Sequence, residues 1–148
     1  MTNIITLPDD KLKYISHSIN ESRTIIINVE SMSKESICPY CGTVSNKVHS
    51  RYMRKIQDLP IQGQKVRLCL NNKKYFCVNV NCKHKTFAEQ FAFYDPKAVK
   101  SKRLQDEILR VSLMQSSVSA SKYLCGSIAD IGKSTICNMI KKTKKETE

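Results

Sequence analysis

The sequence predicts an α+β chain in which a small β module is followed by a module of three helices. Residues 24–29 are mostly β-branched, and residues 65–70 alternate polar with apolar side chains, as half-buried strands do. After residue 96 the spacing of apolar residues changes from that of strands to that of helices. Leu104, Ile108 and Val111 recur at the spacing of one helical face.

The composition limits the size of any core. The 148 residues include no Trp, and aromatic residues make up only 7% of the chain. Small domains of this kind usually depend on a metal or on disulfides. The net charge is +12, and the excess of basic residues lies after residue 30. A polyanion partner, most commonly nucleic acid, is therefore expected, and the alternative is a merely soluble basic protein.

The start of the chain argues against a secreted or membrane protein. It has no basic segment followed by a continuous apolar stretch, and no apolar run approaches the roughly 18 residues that span a bilayer. A cytoplasmic location is predicted. The seven cysteines are then expected to be metal ligands or core residues rather than disulfides.

The turns of the β module are predicted from Pro, Gly and Asn. Residues 31–36 read as a polar linker, and residues 58–63 contain both Pro60 and Gly63 and read as a turn. Asn71 and Asn72 are expected to reverse the chain, so that residues 73–77 return antiparallel to residues 65–70. Residues 1–22 have no clear pattern.

Two cysteine pairs are the strongest chemical signal. Two residues separate Cys38 from Cys41, and four separate Cys77 from Cys82. Two cysteines on a tight turn can face one ion, and four thiolates favour a tetrahedral zinc site. The prediction is a zinc-ribbon-like module with one structural Zn²⁺ and no open position for catalysis. The alternatives are four buried cysteines without metal, or His84 in place of Cys82 as ligand.

Three helices are predicted in the C-terminal part of the chain: one that begins at residue 101, one over residues 119–125 and one over residues 133–142. A serine-rich break at residues 115–117 separates the first two. In the third helix, Ser134, Asn138 and Lys141 share the face opposite Ile136. Such a face suits the major groove, because Asn can pair with adenine and Lys can reach guanine or phosphate. An ordinary amphipathic surface helix is the alternative. The Gly132-Lys133-Ser134 segment lacks the upstream Gly of a nucleotide-binding P-loop.

In this order, the motifs resemble transposases of the ISL-three family of insertion sequences. That family has a zinc ribbon, a helix-turn-helix and then a catalytic domain with acidic residues and magnesium. The resemblance runs from about residue 29 to residue 142. It rests on Cys38-Pro39-Tyr40-Cys41-Gly42, His49-Ser50-Arg51-Tyr52, Asp58-Leu59-Pro60-Ile61, Tyr75-Phe76-Cys77, Cys82-Lys83-His84-Lys85-Thr86-Phe87-Ala88-Glu89 and Gly132-Lys133-Ser134-Thr135-Ile136.

The resemblance implies Cys38, Cys41, Cys77 and Cys82 as zinc ligands and the third helix as the DNA-reading element. The corresponding organisation is an N-terminal extension with one strand (1–36), a zinc ribbon (37–95), a three-helix helix-turn-helix module (97–142) and a tail (143–148). The predicted DNA-binding residues are Arg51, Arg54, Lys55, Lys73, Lys74, Lys133, Ser134, Thr135, Asn138, Lys141 and Lys142.

The predicted function is recognition of the terminal inverted repeats of an insertion sequence, as double-stranded DNA, in a nucleoid-associated protein. No triad of catalytic carboxylates is visible in these residues. Two alternatives remain open. The chain regulates or inhibits transposition through contacts with a full-length transposase or with itself, or it is the N-terminal part of an active transposase.

Overall fold

The computed structural model describes residues 5–114 and 117–147. Strands account for most of its regular structure up to residue 88, and three helices follow. The strands are β1 (Leu12–Ile19), β2 (Ile25–Ser31), β3 (Ser36–Ile37), β4 (Val44–Ser45), β5 (Val48–Ile61), β6 (Gln64–Phe76) and β7 (Thr86–Ala88). The helices are α1 (Lys102–Met114), α2 (Ser117–Ser127) and α3 (Lys133–Thr147).

Five of the strands form one mixed sheet. Its order is β1-β2-β6-β5, and β7 pairs with the end of β6. Strand β2 runs parallel to β6, whereas the other pairs are antiparallel. Strands β3 and β4 form a separate two-stranded hairpin. The N-terminal residues, which show no clear pattern in sequence, therefore supply the edge strand of the main sheet.

The predicted fold class is wrong. The described structure is mainly a five-stranded mixed sheet with three short helices at its C-terminal end, and it does not show a three-helix helix-turn-helix module. The zinc-ribbon part of the prediction fits. The helices are anchored to the sheet, because residue 100 bridges to β5 and the side chain of Leu59 packs among the helices.

The predicted turn at Asn71 and Asn72 is also wrong, since both residues lie inside β6. Strand β6 pairs with β5 instead, through a turn at Gln62 and Gly63, where both φ angles are positive. Positive φ at two consecutive residues matches the tight turn that joins twisted antiparallel strands. The amide of Asn72 is buried, and its Nδ2 donates to the hydroxyl of Tyr52 at 3.0 Å. This bond lets a residue typical of turns remain within a strand.

The long β5–β6 hairpin contributes to two different cores. Near its turn, Ile56, Leu68 and Leu70 are buried in a cluster with β1, β2 and the aromatic residues that follow β7. Towards its open end, Tyr75 belongs to the other face by alternation, and it is buried against Cys38 and Phe87. One twisted hairpin thus supports the apolar core at one end and the cysteine cluster at the other.

The helices share a third core, and a buried ion pair links them to the sheet. Leu104 and Ile108 of α1, Leu124 of α2 and Ile136 of α3 are fully buried together. The carboxylate of Asp58, at the end of β5, accepts bonds from the guanidinium of Arg103 and from the hydroxyl of Ser101. Asp58 is only 3% exposed, so this link lies largely out of water.

Helices α1 and α3 include the segments predicted to be helical, and α2 extends beyond its predicted bounds. Residues 115 and 116 of the predicted serine-rich break lie outside the described residues. None of the helices in the described part of the chain is long and apolar enough to cross a membrane.

Candidate metal centre and nucleic-acid interface

The first cysteine pair lies on a tight turn between β3 and β4. The N–H of Gly42 donates to the carbonyl of Cys38 at 2.8 Å, and the N–H of Cys38 donates to the carbonyl of Thr43 at 2.9 Å. Gly42 has φ of +77°, a left-handed conformation that favours glycine. The Cys-x2-Cys-Gly sequence therefore forms a closed loop with both side chains on one side.

The second pair closes a loop between β6 and β7. The N–H of Cys77 donates to the carbonyl of Lys85 at 2.9 Å, and the N–H of Cys82 donates to the carbonyl of Asn79 at 3.1 Å. The two loops are held together by the hydroxyl of Ser45, which donates to the carbonyl of Phe76 at 2.5 Å. The 35 residues between the pairs are taken up mainly by the β5–β6 hairpin.

The four sulfur atoms meet at one point. The Sγ atoms of Cys38, Cys41, Cys77 and Cys82 all lie within 4.8 Å of one another, and those of Cys41 and Cys77 are 3.5 Å apart. Four sulfurs at about 2.3 Å from a central zinc lie about 3.8 Å from one another in a regular tetrahedron. The cluster therefore fits one Zn²⁺, and these four cysteines are positioned to bind one metal ion.

Hydrogen bonds to the sulfur atoms favour the thiolate form that binds a metal cation. Hydrogen bonds from the side chain and the backbone of Thr43 lower the pKa of Cys41 to about 6. The backbone N–H of Asn79 favours the thiolate of Cys77, but desolvation and the neighbouring cysteines outweigh it and raise that pKa to about 12. The thiols resist ionising together because they repel one another as anions. A divalent cation supplies the charge that lets all four bind as thiolates.

The side chain of His84 is not among the clustered ligands. Its exposed ring stacks on Tyr40, with ring centroids 3.5 Å apart, while its backbone N–H bonds the sulfur of Cys82. Of the described cysteines outside the cluster, Cys69 is buried in β6, and the thiol of Cys125 donates to the carbonyl of Ile131 at 3.2 Å. The sulfur geometry thus selects Cys82 over His84.

Around this centre, basic residues are concentrated. Residues 36–88 contain ten Lys and Arg and a single acidic residue, Asp58. Asp58 is buried and paired with Arg103 of α1, so its charge is neutralised away from the surface. The exposed charged side chains of this segment are therefore all cationic.

The predicted DNA-binding residues of the hairpin divide between its two faces. Arg51 and Lys55 are exposed on β5, on the face opposite the buried Ile56, and Arg51 lies directly opposite Lys73 in the register. The Nζ of Lys73 donates to the carbonyl of Ser33 at 2.9 Å. By the same alternation this surface, the cationic sheet face, consists of Arg51, Lys55, Lys65, Arg67 and Lys73.

Two other predicted residues of the hairpin lie on its opposite face. The guanidinium of Arg54 donates to the carbonyl of Ala98 at 2.8 Å and lies 5.4 Å from the ring centroid of Tyr94. The ammonium of Lys74 lies 5.6 Å from the ring centroid of Tyr52. Sequence reasoning did not select Lys65 or Arg67, although the alternation of β6 places both with Cys69, away from the core, and could have identified them.

All six predicted residues of α3 are exposed, whereas Ile136 is buried and Met139 and Ile140 pack against the helical core. The polar and cationic face of the helix therefore points to solvent over its length. The exposed predicted residues are Lys133, Ser134, Thr135, Asn138, Lys141 and Lys142.

The start of α3 is tied to the cationic sheet face. Asp130, in the loop before α3, pairs with the ammonium of Lys65 at 2.5 Å, and its N–H donates to the side chain of Gln57 at 3.4 Å. Lys133 follows Asp130 by three residues, a chain length of at most about 11 Å. The start of α3 is thus adjacent to Lys65, at the turn end of the cationic sheet face.

A comparison with protein families bears on the same segment. Residues 34–82 match the family model described as the zinc finger of transposase IS204/IS1001/IS1096/IS1165. The match covers a third of the chain and includes all four cysteines. No curated protein and no solved structure matches the chain. The chain thus carries a zinc-ribbon domain of the transposase type, which suggests nucleic-acid binding.

Proposed function

We propose that this chain is a zinc-stabilised protein that binds duplex DNA and recognises the terminal inverted repeats of an insertion sequence. One observation carries the proposal. Residues 36–88, which include most of the segment that matches a transposase zinc finger, contain ten basic residues, and their one carboxylate is buried in an ion pair. A surface of one charge sign favours a polyanion such as the phosphate backbone.

The cationic sheet face suits phosphate contacts. Its side chains are long, exposed at Arg51 and Lys55, and carried by two adjacent strands that the turn and the zinc site hold rigid. Contacts of this kind position a protein on the duplex without reading its sequence. Binding through this face is expected to weaken steeply as the salt concentration rises.

Sequence recognition is assigned to α3. Its exposed face offers Ser134 and Asn138 as hydrogen-bonding side chains and Lys141 as a cation, with no acidic side chain among them. Asn can form two hydrogen bonds to an adenine edge in the major groove. The Asp130–Lys65 ion pair keeps this helix beside the phosphate-binding face.

The experiment that tests the proposal measures binding of zinc-loaded protein to a labelled duplex of the element end and to a scrambled duplex. Asn138→Ala is expected to lower affinity for the element end about tenfold and leave the scrambled duplex unchanged, because one bidentate base contact is worth about 1–3 kcal/mol. Asn46→Ala, an exposed asparagine outside the helix, is the control.

Two results would refute the proposal. One is equal affinity for the two duplexes in the unmodified protein. The other is absence of duplex binding together with capture of an intact transposase, which would support the regulatory alternative that acts through protein contacts.

A further inference from the structure

The zinc end, residues 36–49 and 75–88, carries two kinds of aromatic pair. Tyr75 and Phe87 stack with centroids 5.8 Å apart and are buried against the cysteines. The exposed ring pairs are Tyr40 with His84 and Phe76 with His49, the latter in an edge contact at 4.8 Å. The buried pair packs against the metal-binding residues, whereas the exposed pairs keep ring surface in contact with solvent.

The exposed ring pairs lie close to the same two sulfur atoms. Tyr40 is the neighbour of Cys41 in sequence and Phe76 is the neighbour of Cys77, and the Sγ atoms of these cysteines are 3.5 Å apart. Tyr40 is 59% exposed and Phe76 is 43% exposed, so each ring leaves surface open to solvent. A ring with exposed surface can stack on a flat ligand, and two such rings beside neighbouring cysteines offer more than one stacking surface.

Cationic side chains lie on the same loops as these rings. Lys47, Lys83 and Lys85 are exposed on the same loops, and within residues 5–114 and 117–147 none of them forms an ion pair. No acidic residue lies between residues 59 and 88. Rings with open faces interleaved with ammonium groups are the chemistry that binds unpaired nucleotides, since bases stack on rings and phosphates meet the lysines.

We infer that the exposed ring pairs of the zinc end form a stacking platform for unpaired nucleotides of a single-stranded nucleic acid. This activity goes beyond duplex recognition, because a base inside a duplex is stacked on its neighbours and cannot offer its face to Tyr40 or Phe76. The platform takes bases of any sequence, because every base has an aromatic face.

The test uses the full chain loaded with zinc and a labelled oligo-dT of about 12 nucleotides, with an oligo-U of the same length to separate DNA from RNA. Tyr40→Leu and Phe76→Leu are each expected to weaken oligo-dT binding about five- to a hundredfold, the range expected for loss of one stacked base. Tyr40→Phe is expected to retain binding, since it keeps the ring. Tyr123→Leu, which removes a ring 53% exposed on α2, is the control.

Zinc content is measured for each variant. If Tyr40→Leu loses zinc, the oligo-dT affinities of Phe76→Leu and His84→Ala decide whether the rings bind bases. Neither residue lies inside the Cys-x2-Cys turn, and both substitutions keep the backbone N–H group. Unchanged oligo-dT affinity in the zinc-loaded variants would overturn the inference and leave the rings as a cover for the loops. An equal loss of duplex binding would also overturn it, because the rings would then serve the duplex site.

The two proposals fail separately. Asn138→Ala is expected to change duplex discrimination and leave oligo-dT binding within twofold. A protein that binds oligo-dT through Tyr40 but does not distinguish the two duplexes would refute the proposed function and retain the stacking platform.

Discussion

At the zinc end only Cys38, Tyr75 and Phe87 form a buried cluster among the described residues, whereas ten residues do so beneath the main sheet. The strands differ in the same way, because β3 and β4 have two residues each and β5 has fourteen. So small a cluster cannot offset the conformational entropy of ordering two loops. Metal binding is therefore expected to stabilise one end of the hairpin, and apolar burial stabilises the other.

The largest effect is expected from removing a zinc ligand. Cys77→Ser should release the metal and unfold residues 38–47 and 77–88, because zinc–thiolate binding contributes on the order of 10 kcal/mol to folding. Amide exchange should lose protection there and keep it at Val66, Leu68 and Leu70, whose side chains lie in the apolar core. Cys69→Ser, in a cysteine outside the cluster, should keep one zinc per chain.

A protected zinc end in metal-free Cys77→Ser would contradict this comparison. Complete unfolding of β2 and β6 in the same variant would also contradict it, since the main sheet would then depend on the metal as well.

The second effect concerns the link between sheet and helices. Asp58→Ala should lower the free energy of unfolding by about 2–3 kcal/mol, because the fully buried hydroxyl of Ser101 and the guanidinium of Arg103 both lose the carboxylate that accepts from them. Asp95→Ala is the matched control. Its partner Lys102 lies 3.7 Å away and both side chains are more than half exposed, so its loss should cost less than about 1 kcal/mol.

Chemical denaturation measures both variants, and zinc content should stay at one per chain in each. Equal destabilisation by the two substitutions would show that burial does not distinguish these ion pairs.

A smaller effect separates neighbouring residues on the two faces of β5. Lys55→Gln should weaken duplex binding about equally for all sequences and reduce the salt slope by about one, as expected for one phosphate contact. Arg54→Gln should instead lower stability, because its guanidinium bonds Ala98 and covers Tyr94. Lys13→Gln is the charge-matched control. Lys13 lies opposite Glu30 in the sheet, and the nearby carboxylate disfavours a phosphate contact there. The face assignment fails if Arg54→Gln lowers the salt slope as much as Lys55→Gln.

The smallest effect is a pH dependence within the sheet. Burial raises the pKa of Glu89 above its usual value of 4.5, although the hydroxyl of Ser31 donates to its carboxylate at 2.6 Å and opposes the rise. The folded state then binds the proton of Glu89 more tightly than the unfolded state does. The protonated carboxyl group therefore contributes fully to the free energy of unfolding below pH 4.5, and this contribution is lost as the pH rises through the folded pKa.

Glu89→Gln should therefore gain stability relative to the unmodified chain as the pH rises from 4 to 7, measured by urea unfolding at several pH values. A constant difference between the two proteins over this range would exclude Glu89 as the cause.

The local chemistry of the zinc site could be predicted from sequence, and the pairing of distant strands could not. Two short cysteine spacings and Gly42 identify both loops, because each loop is made by residues adjacent in the chain. The parallel pairing of β2 with β6 joins residues about forty positions apart in the chain, and neither strand has a sequence feature that identifies the other as its partner. The β1 strand was missed because its residues after Tyr14 are mostly exposed and show no apolar alternation.

Asn72 and Arg54 show the same limit at single residues. Asn72 was predicted to turn the chain because asparagine side chains often bond nearby backbone, and it does accept from the N–H of Lys73, yet its amide also donates to Tyr52 on the neighbouring strand and it stays within β6. Arg54 was predicted to contact DNA because it is basic, yet Tyr94 and Ala98 engage it from a segment forty residues later. In both residues the deciding partner is remote in sequence.

By itself, the sequence determined the four cysteines, the cationic character of residues 36–88 and the apolar stripes of α1 and α3, since these depend on residue type and short spacing. Only the tertiary structure decided which face of the hairpin is cationic, which basic residues are already engaged, and how α3 meets the sheet at Asp130. The physical reason is that a strand's burial and a side chain's partner depend on elements brought beside it by folding, and those elements are far away along the chain.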